Sequence, residues 1–183
     1  TGLVLKALHP TDEIHINGYE TILSSTKGTF DVVSSNIPFG EYSVFDPDFY
    51  MNKDIARHHA SSTIHNYFFL KSLDEVRNGG LVAFITSRGV MDSPRHEDIR
   101  QYMVSHANLV SAIRLPDEMF YNEAGTKVGS DLIILQRVDN KQAITDREKA
   151  FVAVTNAFHG TGKKIMVKES RIGVRNLVLE YKR

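Results

Sequence analysis

The stretch FDVVSSNIPFGEY, residues 30–42, gives the main indication of the fold. It opens with the apolar and β-branched residues of a buried strand and then changes abruptly to Asn36-Ile37-Pro38-Phe39-Gly40. Proline fixes its own backbone torsion and restricts the residue before it, so the stretch predicts a rigid turn at the carboxyl end of a strand.

Strand and helix patterns alternate around this turn. Strands are predicted from apolar or alternating runs at EIHINGYE (13–20), TFDVVSS (29–35), LVAFITS (81–87), NLVSAIRLP (108–116) and SDLIILQRV (130–138), with weaker candidates at AFVAV (150–154) and NLVLEY (176–181). Helices are predicted before Pro10, over residues 55–77 up to Asn78-Gly79-Gly80, and from Asp92-Ser93-Pro94 to about His106.

This order predicts an α/β fold, a partial doubly wound (Rossmann-like) sheet in which LVAFITS is buried on both faces. Ligands of such sheets lie beyond the carboxyl ends of the strands, where we expect the Asn36–Phe39 turn.

Composition narrows the class of protein. The 183 residues carry 22 basic and 22 acidic side chains and no cysteine, which excludes disulfides and thiolate chemistry. No apolar run approaches the roughly 20 residues of a membrane span, and a cytoplasmic location is expected. Seven basic and two acidic residues lie between Lys163 and Arg183, so this tail either contacts phosphates or forms a solvated face.

The residues of the turn suit a planar amine. The amino group of adenine is a poor nucleophile because its lone pair is delocalised into the ring. The side-chain oxygen of Asn36 and the carbonyl of Ile37 can both accept hydrogen bonds from such a group, and neither has to be ionised. The ring of Phe39 can stack on a base, and Gly40 allows a close approach.

The turn and its context resemble the N6-adenine DNA methyltransferases, in particular the type I restriction-modification and helicase-associated kinds. The resemblance is carried by TFDVVSSNIPFG, HNYFFLKSLDEVRNGGLVAFITSRGVMDS, ANLVSAIRLPDEMF and GTKVGSDLIILQR, in that order. It implies that Asn36 and the Ile37 carbonyl bind the adenine amino group, that Pro38 fixes the turn, and that Phe39 stacks on a flipped-out base. Ile37 departs from the proline usual in the family.

The resemblance implies S-adenosylmethionine as the methyl donor. Glu20 is a candidate for the adenine end of this cofactor, beside Asn36, and no metal is implied. The glycine-rich turn and the acidic residue that hold the cofactor in this family are not evident, so we expect them upstream of Thr1. We therefore expect a fragment, with residues 1–138 as the C-terminal half of the catalytic domain and residues 139–183 as an extension of unassigned role.

Such a fragment is expected to be inactive alone and to leave the strand of residues 29–35 without a neighbour. This predicts an exposed sheet edge, with a rearranged sheet or self-association. DNA and the rest of the parent polypeptide, or a specificity subunit, are the other expected partners.

Other interpretations of the function stay open. The chain could be a catalytically idle methyltransferase-like module that binds DNA or protein, or a protein glutamine N5-methyltransferase, because an amide is also a planar nitrogen. His58, His59 and His65 are read as packed or surface side chains rather than metal ligands, and GTGKK (160–164) lacks the spacing of a phosphate loop. Asp46 and Asp48 around Pro47 are read as a plain turn, and Tyr67, Phe68 and Phe69 are read as helix core.

Overall fold

Four strands form the central sheet of the computed structural model, which describes residues 2–22, 26–40, 42–116, 129–153, 155–158 and 164–167. They are β1 (Phe30–Asn36), β2 (Val76–Ser87), β3 (Ala107–Arg114) and β4 (Ser130–Arg137), in the order β1-β2-β4-β3. β1 is parallel to β2, and β4 is antiparallel to both β2 and β3. The carboxyl ends of β1, β2 and β3 therefore lie at one end of the sheet.

The helices of the described ranges are short. They are α1 (Gly2–Leu8), α2 (Pro47–Tyr50), α3 (Ile55–Ala60), α4 (Ile64–Glu75), α5 (Gly89–Asp92), α6 (Glu97–His106) and α7 (Asp146–Val152), with 3₁₀ turns at Tyr19–Thr21 and Pro94–His96. A separate antiparallel pair consists of β5 (Thr155–Phe158) and β6 (Lys164–Val167). None of these helices combines the length and the apolar composition that crossing a bilayer requires.

One layer of helices covers the sheet. α3, α4 and α6 pack on one another, α4 lies against β2, and α6 lies against β3. On β2, Val82 and Phe84 are fully buried, and the Phe84 ring packs edge-on against Phe69 of α4 with centroids 5.1 Å apart. The α/β class is confirmed, as are strands β1, β3 and β4 and the helix that ends at His106.

The predicted burial of LVAFITS on both faces is wrong for the described residues. From Gly80 to Ser87, residues of β2 alternate between buried and half-buried, and Leu81, Ala83 and Ile85 belong to the half-buried set. The reason is that the described helices α3, α4 and α6 lie on the other face, which carries Val82 and Phe84.

The predicted strand at residues 13–20 is wrong. Residues 13–16 pair with no described strand, and the segment ends in the 3₁₀ turn Tyr19–Thr21. Tyr19 packs on α4 instead: its hydroxyl bonds to that of Ser72 at 2.7 Å, and its ring lies 4.7 Å from that of Phe68. This aromatic contact fixes the segment without a partner strand.

The predicted helix over residues 55–77 is divided into α3 and α4. The hydroxyl of Ser61 donates to the carbonyl of His58, and that of Ser62 donates to the carbonyl of His59. Thr63 then takes an extended conformation as the N-cap of α4. Serine and threonine offer the backbone such local alternatives to a helix, which explains the interruption.

Asn78-Gly79-Gly80 does not end the helix, as predicted, but lies inside β2. α4 ends at Glu75 because Val76 is already extended, with φ −78° and ψ 143°. The register between β1 and β2 shifts between Phe30 and Val32, so these glycines form a bulge. Gly79 has φ 79°, a conformation that L side chains rarely adopt.

The segment after β4 also differs from its prediction. The weaker strand candidate AFVAV (150–154) is wrong for residues 150–152, which lie in α7, and α7 opens with a capping box between Thr145 and Glu148. Phe151 of α7 is fully buried in the common core. The other weak candidate, NLVLEY (176–181), lies outside the described residues, as do GTGK (160–163) and most of the loop before Ser130.

Arg100 is fully buried and joins three elements. Its guanidinium donates to the carbonyls of Val90 at 3.0 Å, Ser93 at 2.8 Å and Val152 at 3.0 Å. Burial lowers its pKa to about 10, so it stays charged at neutral pH. This one side chain ties α6 to the α5 region and to the end of α7.

We predict that Arg100→Met lowers the free energy of unfolding by about 3 kcal/mol or more, because three buried carbonyls lose a charged donor. Urea unfolding measures the change. The control is Arg95→Met, at an exposed position, which we expect to stay within about 0.5 kcal/mol of the unchanged chain. Equal effects of the two substitutions would contradict the role given to Arg100.

Candidate functional site

The turn after β1 is attached to β2. Asn36 is the last residue of β1 and pairs in register with Ile85. Ile37 follows, fully buried, and its N–H donates to the carbonyl of Ile85 at 3.0 Å. Pro38 is exposed beyond it. The buried Ile37 therefore fixes the point at which the chain leaves the sheet.

The side chain of Asn36 is exposed, and within the described ranges no hydrogen bond joins its amide to another residue. An amide in this position has a free oxygen and a free NH₂ group at the open end of the strand. Asn36 can therefore take a partner from solution without breaking a contact of the fold.

Phe39 is half-buried and lies against His65 of α4, with ring centroids 6.0 Å apart and planes inclined by 43°. Nδ1 of His65 lies 2.9 Å from the hydroxyl of Thr86 on β2, and both side chains are buried. Burial, and secondarily the charge of His96, lowers the pKa of His65 to about 4. The imidazole is therefore neutral at physiological pH.

A buried ion pair holds the segment that follows the turn. The carboxylate of Asp46 accepts hydrogen bonds from the Tyr67 hydroxyl at 2.7 Å, from Nζ of Lys71 at 3.2 Å and from the backbone N–H of Asp48 at 2.9 Å. Burial acts to raise the pKa of Asp46, but these bonds outweigh it and leave the pKa below its ordinary value. The predicted plain turn at Asp46 and Asp48 is instead the start of a helix, since Asp46 caps α2 and Pro47 begins it. Tyr67 and Phe69 are fully buried, as predicted, and Phe68 is partly buried.

Glu20 lies on a different segment. Glu20 is exposed within the 3₁₀ turn Tyr19–Thr21. Burial is the main cause of the raised pKa of Tyr67, and the negative charge of Glu20 adds to it. The structure thus brings Asn36, Ile37, Pro38 and Phe39 together in one turn, whereas no hydrogen bond in the described ranges joins Glu20 to that turn.

The three histidines weighed as metal ligands lie in different surroundings. His59 pairs with Asp98 at 2.8 Å, the His58 ring lies 5.3 Å from that of Tyr50, and His65 bonds to Thr86. Across the described ranges no group of three or more histidine, aspartate or glutamate side chains is arranged to hold a metal ion.

Sequence reasoning missed the residues that support the turn. The contact of Phe39 with His65 and the pairing of Asp46 with Lys71 join positions about 25 residues apart, and no local pattern marks them. The helical pattern around His65 indicated a packed side chain, but not which ring it meets.

The site can therefore bind a flat, amine-bearing group. A free amide, a backbone carbonyl and a supported aromatic ring lie together at the carboxyl end of a parallel strand, where ligands of open α/β sheets lie. Acceptors for N–H groups and a ring face for stacking are what an amino-substituted heterocycle requires.

These features define an α/β protein with a candidate ligand-binding turn, and comparison identifies its family. The model of the N-6 DNA methylase family matches residues 5–174, so the chain belongs to that family.

Relatives of the chain are longer proteins. The "Defense against restriction protein B" of Escherichia phage P1 is 27% identical over 139 residues, covering 75% of this chain and 6% of that relative. Among solved structures, a chain of the type I R-M system is 19% identical with a TM-score of 0.55, covering 74% of this chain and 28% of the other. The M protein of the type I restriction enzyme EcoKI is 20% identical with a TM-score of 0.47, covering 63% and 22%. The first of these structures supports the fold.

We predict that His65 makes stability depend on pH. Its folded-state pKa of about 4 lies below the ordinary 6.5, so between these values the unfolded chain binds a proton that the native chain does not. The contribution is fully present above pH 6.5 and is lost as the pH falls toward 4, by at most about 3 kcal/mol.

Urea unfolding at several pH values measures this slope, which His65→Phe should reduce. His15→Phe, at an exposed ring, is the matched control and should keep the slope of the unchanged chain. If His65→Phe kept the full slope, the buried neutral imidazole would not be its source.

Proposed function

We propose that this chain forms the base-binding half of a DNA adenine-N6 methyltransferase. The observation that carries the proposal is the free amide of Asn36, at the carboxyl end of β1 and in the same turn as the supported ring of Phe39. The chain that carries this turn is a member of the N-6 DNA methylase family. DNA is the proposed substrate, with the target adenine flipped out of the duplex to reach the turn.

In this proposal the side-chain oxygen of Asn36 and the carbonyl of Ile37 accept the two N–H groups of the adenine amine. Those bonds favour a pyramidal nitrogen whose lone pair points away from the ring, toward the methyl donor. Phe39 stacks on the face of the base and orients it. The reaction then depends on positioning, without a covalent bond to the protein.

Ile37 stabilises the turn through a hydrogen bond and through burial of its side chain. A proline at this position would have no N–H, whereas the N–H of Ile37 donates to the carbonyl of Ile85. The hydrogen bond and the complete burial of the side chain support a fixed orientation for the carbonyl that the proposal uses.

S-adenosylmethionine, when bound, supplies a methyl group activated on a positively charged sulfonium. Asn36 fits a place beside it because its amide is free, and Glu20 fits because its carboxylate is exposed. We propose these two residues as this chain's contribution to the cofactor site, with the principal binding motif outside the chain and little methyl transfer by the chain alone.

We predict that Asn36→Ala lowers methyl transfer to adenine in DNA by about 100-fold, because one preorganised acceptor is lost. The assay uses labelled S-adenosylmethionine and the full polypeptide in which these residues occur. Asn108→Ala, at an exposed asparagine of β3, is the control and should keep full activity.

The outcomes separate three functions. Label on adenine N6, lost with Asn36→Ala, supports the proposal. Cofactor binding with label on a protein glutamine but none on DNA would replace it with an amide methyltransferase. Neither transfer nor cofactor binding would leave an idle module that binds DNA or a partner.

We further propose that the chain by itself associates through β1. β1 is the end strand of the sheet, and Phe30 and Val32 on it are 43% and 54% exposed. The opposite end strand, β3, is protected: Glu148 accepts from the N–H of Leu109, and Lys141 donates to the carbonyl of Ala107. An unprotected apolar edge pairs with other chains more readily than a protected one.

Val32→Lys is expected to weaken this association at least about tenfold, because charged side chains on an edge strand oppose pairing. Sedimentation velocity over a concentration series measures it. Val110→Lys makes the same change on the protected strand β3, where the side chain is 45% exposed, and should leave association unchanged. A chain that is monomeric at every concentration would contradict this proposal.

A further inference from the structure

We infer that His65 is a positioning residue for the site: through its contact with the Phe39 ring it sets the plane on which a substrate base stacks. The base as ligand rests on the proposed function, whereas the contact does not. His65 touches no reacting atom in this account, and it acts through Phe39.

Two successive residues of β2 hold the turn. The carbonyl of Ile85 accepts the N–H of Ile37 at 3.0 Å, and the hydroxyl of the next residue, Thr86, lies 2.9 Å from Nδ1 of His65. His65 in turn lies against Phe39, with ring centroids 6.0 Å apart. The backbone of the turn and its aromatic ring are thus both fixed to the carboxyl end of one central strand.

That end of β2 is itself firmly held. Thr86 is fully buried and pairs in register with Asp131 of β4. The buried carboxylate of Asp131 accepts from Nε of Arg114, at the end of β3, at 3.0 Å. A hydroxyl anchored in this way offers His65 a partner that does not move with the turn.

The hydrogen bond explains the choice of an imidazole. An apolar ring at position 65 could pack against Phe39 but would be free to turn about its own axis. The bond between Nδ1 and the Thr86 hydroxyl fixes the orientation of the ring. Because the ring is buried and neutral, it can lie against Phe39 without placing a charge beside the base.

The test removes the anchor and leaves His65 and Phe39 in place. Thr86→Val keeps the shape of the side chain but loses the hydroxyl, and Thr86→Ser keeps the hydroxyl. The control is Thr63→Val, which makes the same change at the N-cap of α4, the helix that carries His65. The hydroxyl of Thr63 has no hydrogen-bond partner within the described ranges. All three are made in the full polypeptide.

Two readouts are compared. The first is the split between kcat and KM for methyl transfer to adenine in DNA. The second is fluorine NMR of 4-fluorophenylalanine placed at position 39 without any ligand, which reports the surroundings and mobility of that ring. Thermal unfolding is recorded alongside to identify variants that fail to fold.

We expect Thr86→Val to lower kcat by about 10- to 100-fold with KM changed much less, since a small misplacement of a positioning group is costly. The fluorine signal should shift or narrow in the same variant. Thr86→Ser should restore both values, and Thr63→Val should alter neither.

If the parent protein methylates adenine and Thr86→Val keeps both its kcat and its fluorine signal, the inference is overturned while the proposed function stands. If the parent protein transfers no methyl group, the proposed function fails, and the fluorine signal alone tests whether His65 positions Phe39. A change with Thr86→Val but not with Thr63→Val then supports the role of His65, and no change overturns it.

Discussion

The hydrogen bond between the N–H of Ile37 and the carbonyl of Ile85 is the contact on which the site depends. It continues the parallel pairing of β1 with β2 by one residue beyond Asn36, so the chain leaves the sheet at a defined point. Ile37 is fully buried, and its two neighbours, Asn36 and Pro38, are exposed, so the amide of Asn36 faces solvent. One buried residue thereby gives the exposed ones their geometry.

Helix α4 supplies the second support. His65 meets Phe39, while Tyr67 and Lys71 hold the carboxylate of Asp46, the cap of α2. A buried ion pair adds little net stability, because desolvation of the two charges offsets their attraction. Its value here is geometric, since it fixes where the segment after the turn returns to α4.

The two end strands of the sheet differ in a way that bears on assembly. Side chains from residues 141–148 bond to the backbone of β3, whereas β1 carries exposed apolar residues and pairs with no described strand on its outer side. Among the described residues, the sheet thus has one protected edge and one edge without a neighbouring strand, and the latter belongs to β1, which leads into the candidate site.

Local chemistry made much of this protein predictable. The β-branched run before Asn36 determined β1, and the apolar runs determined β3 and β4, because these signals lie within a few neighbouring residues. The Asn-Ile-Pro-Phe turn indicated the candidate site in the same local way. The sequence did not reveal that residues 13–20 pack on α4, that Asn78-Gly79-Gly80 forms a bulge within β2, or that Thr86 and His65 support Phe39. Those outcomes depend on partners that are distant along the chain, and only the packing of α4 between the N-terminal segment and the sheet brings the partners together.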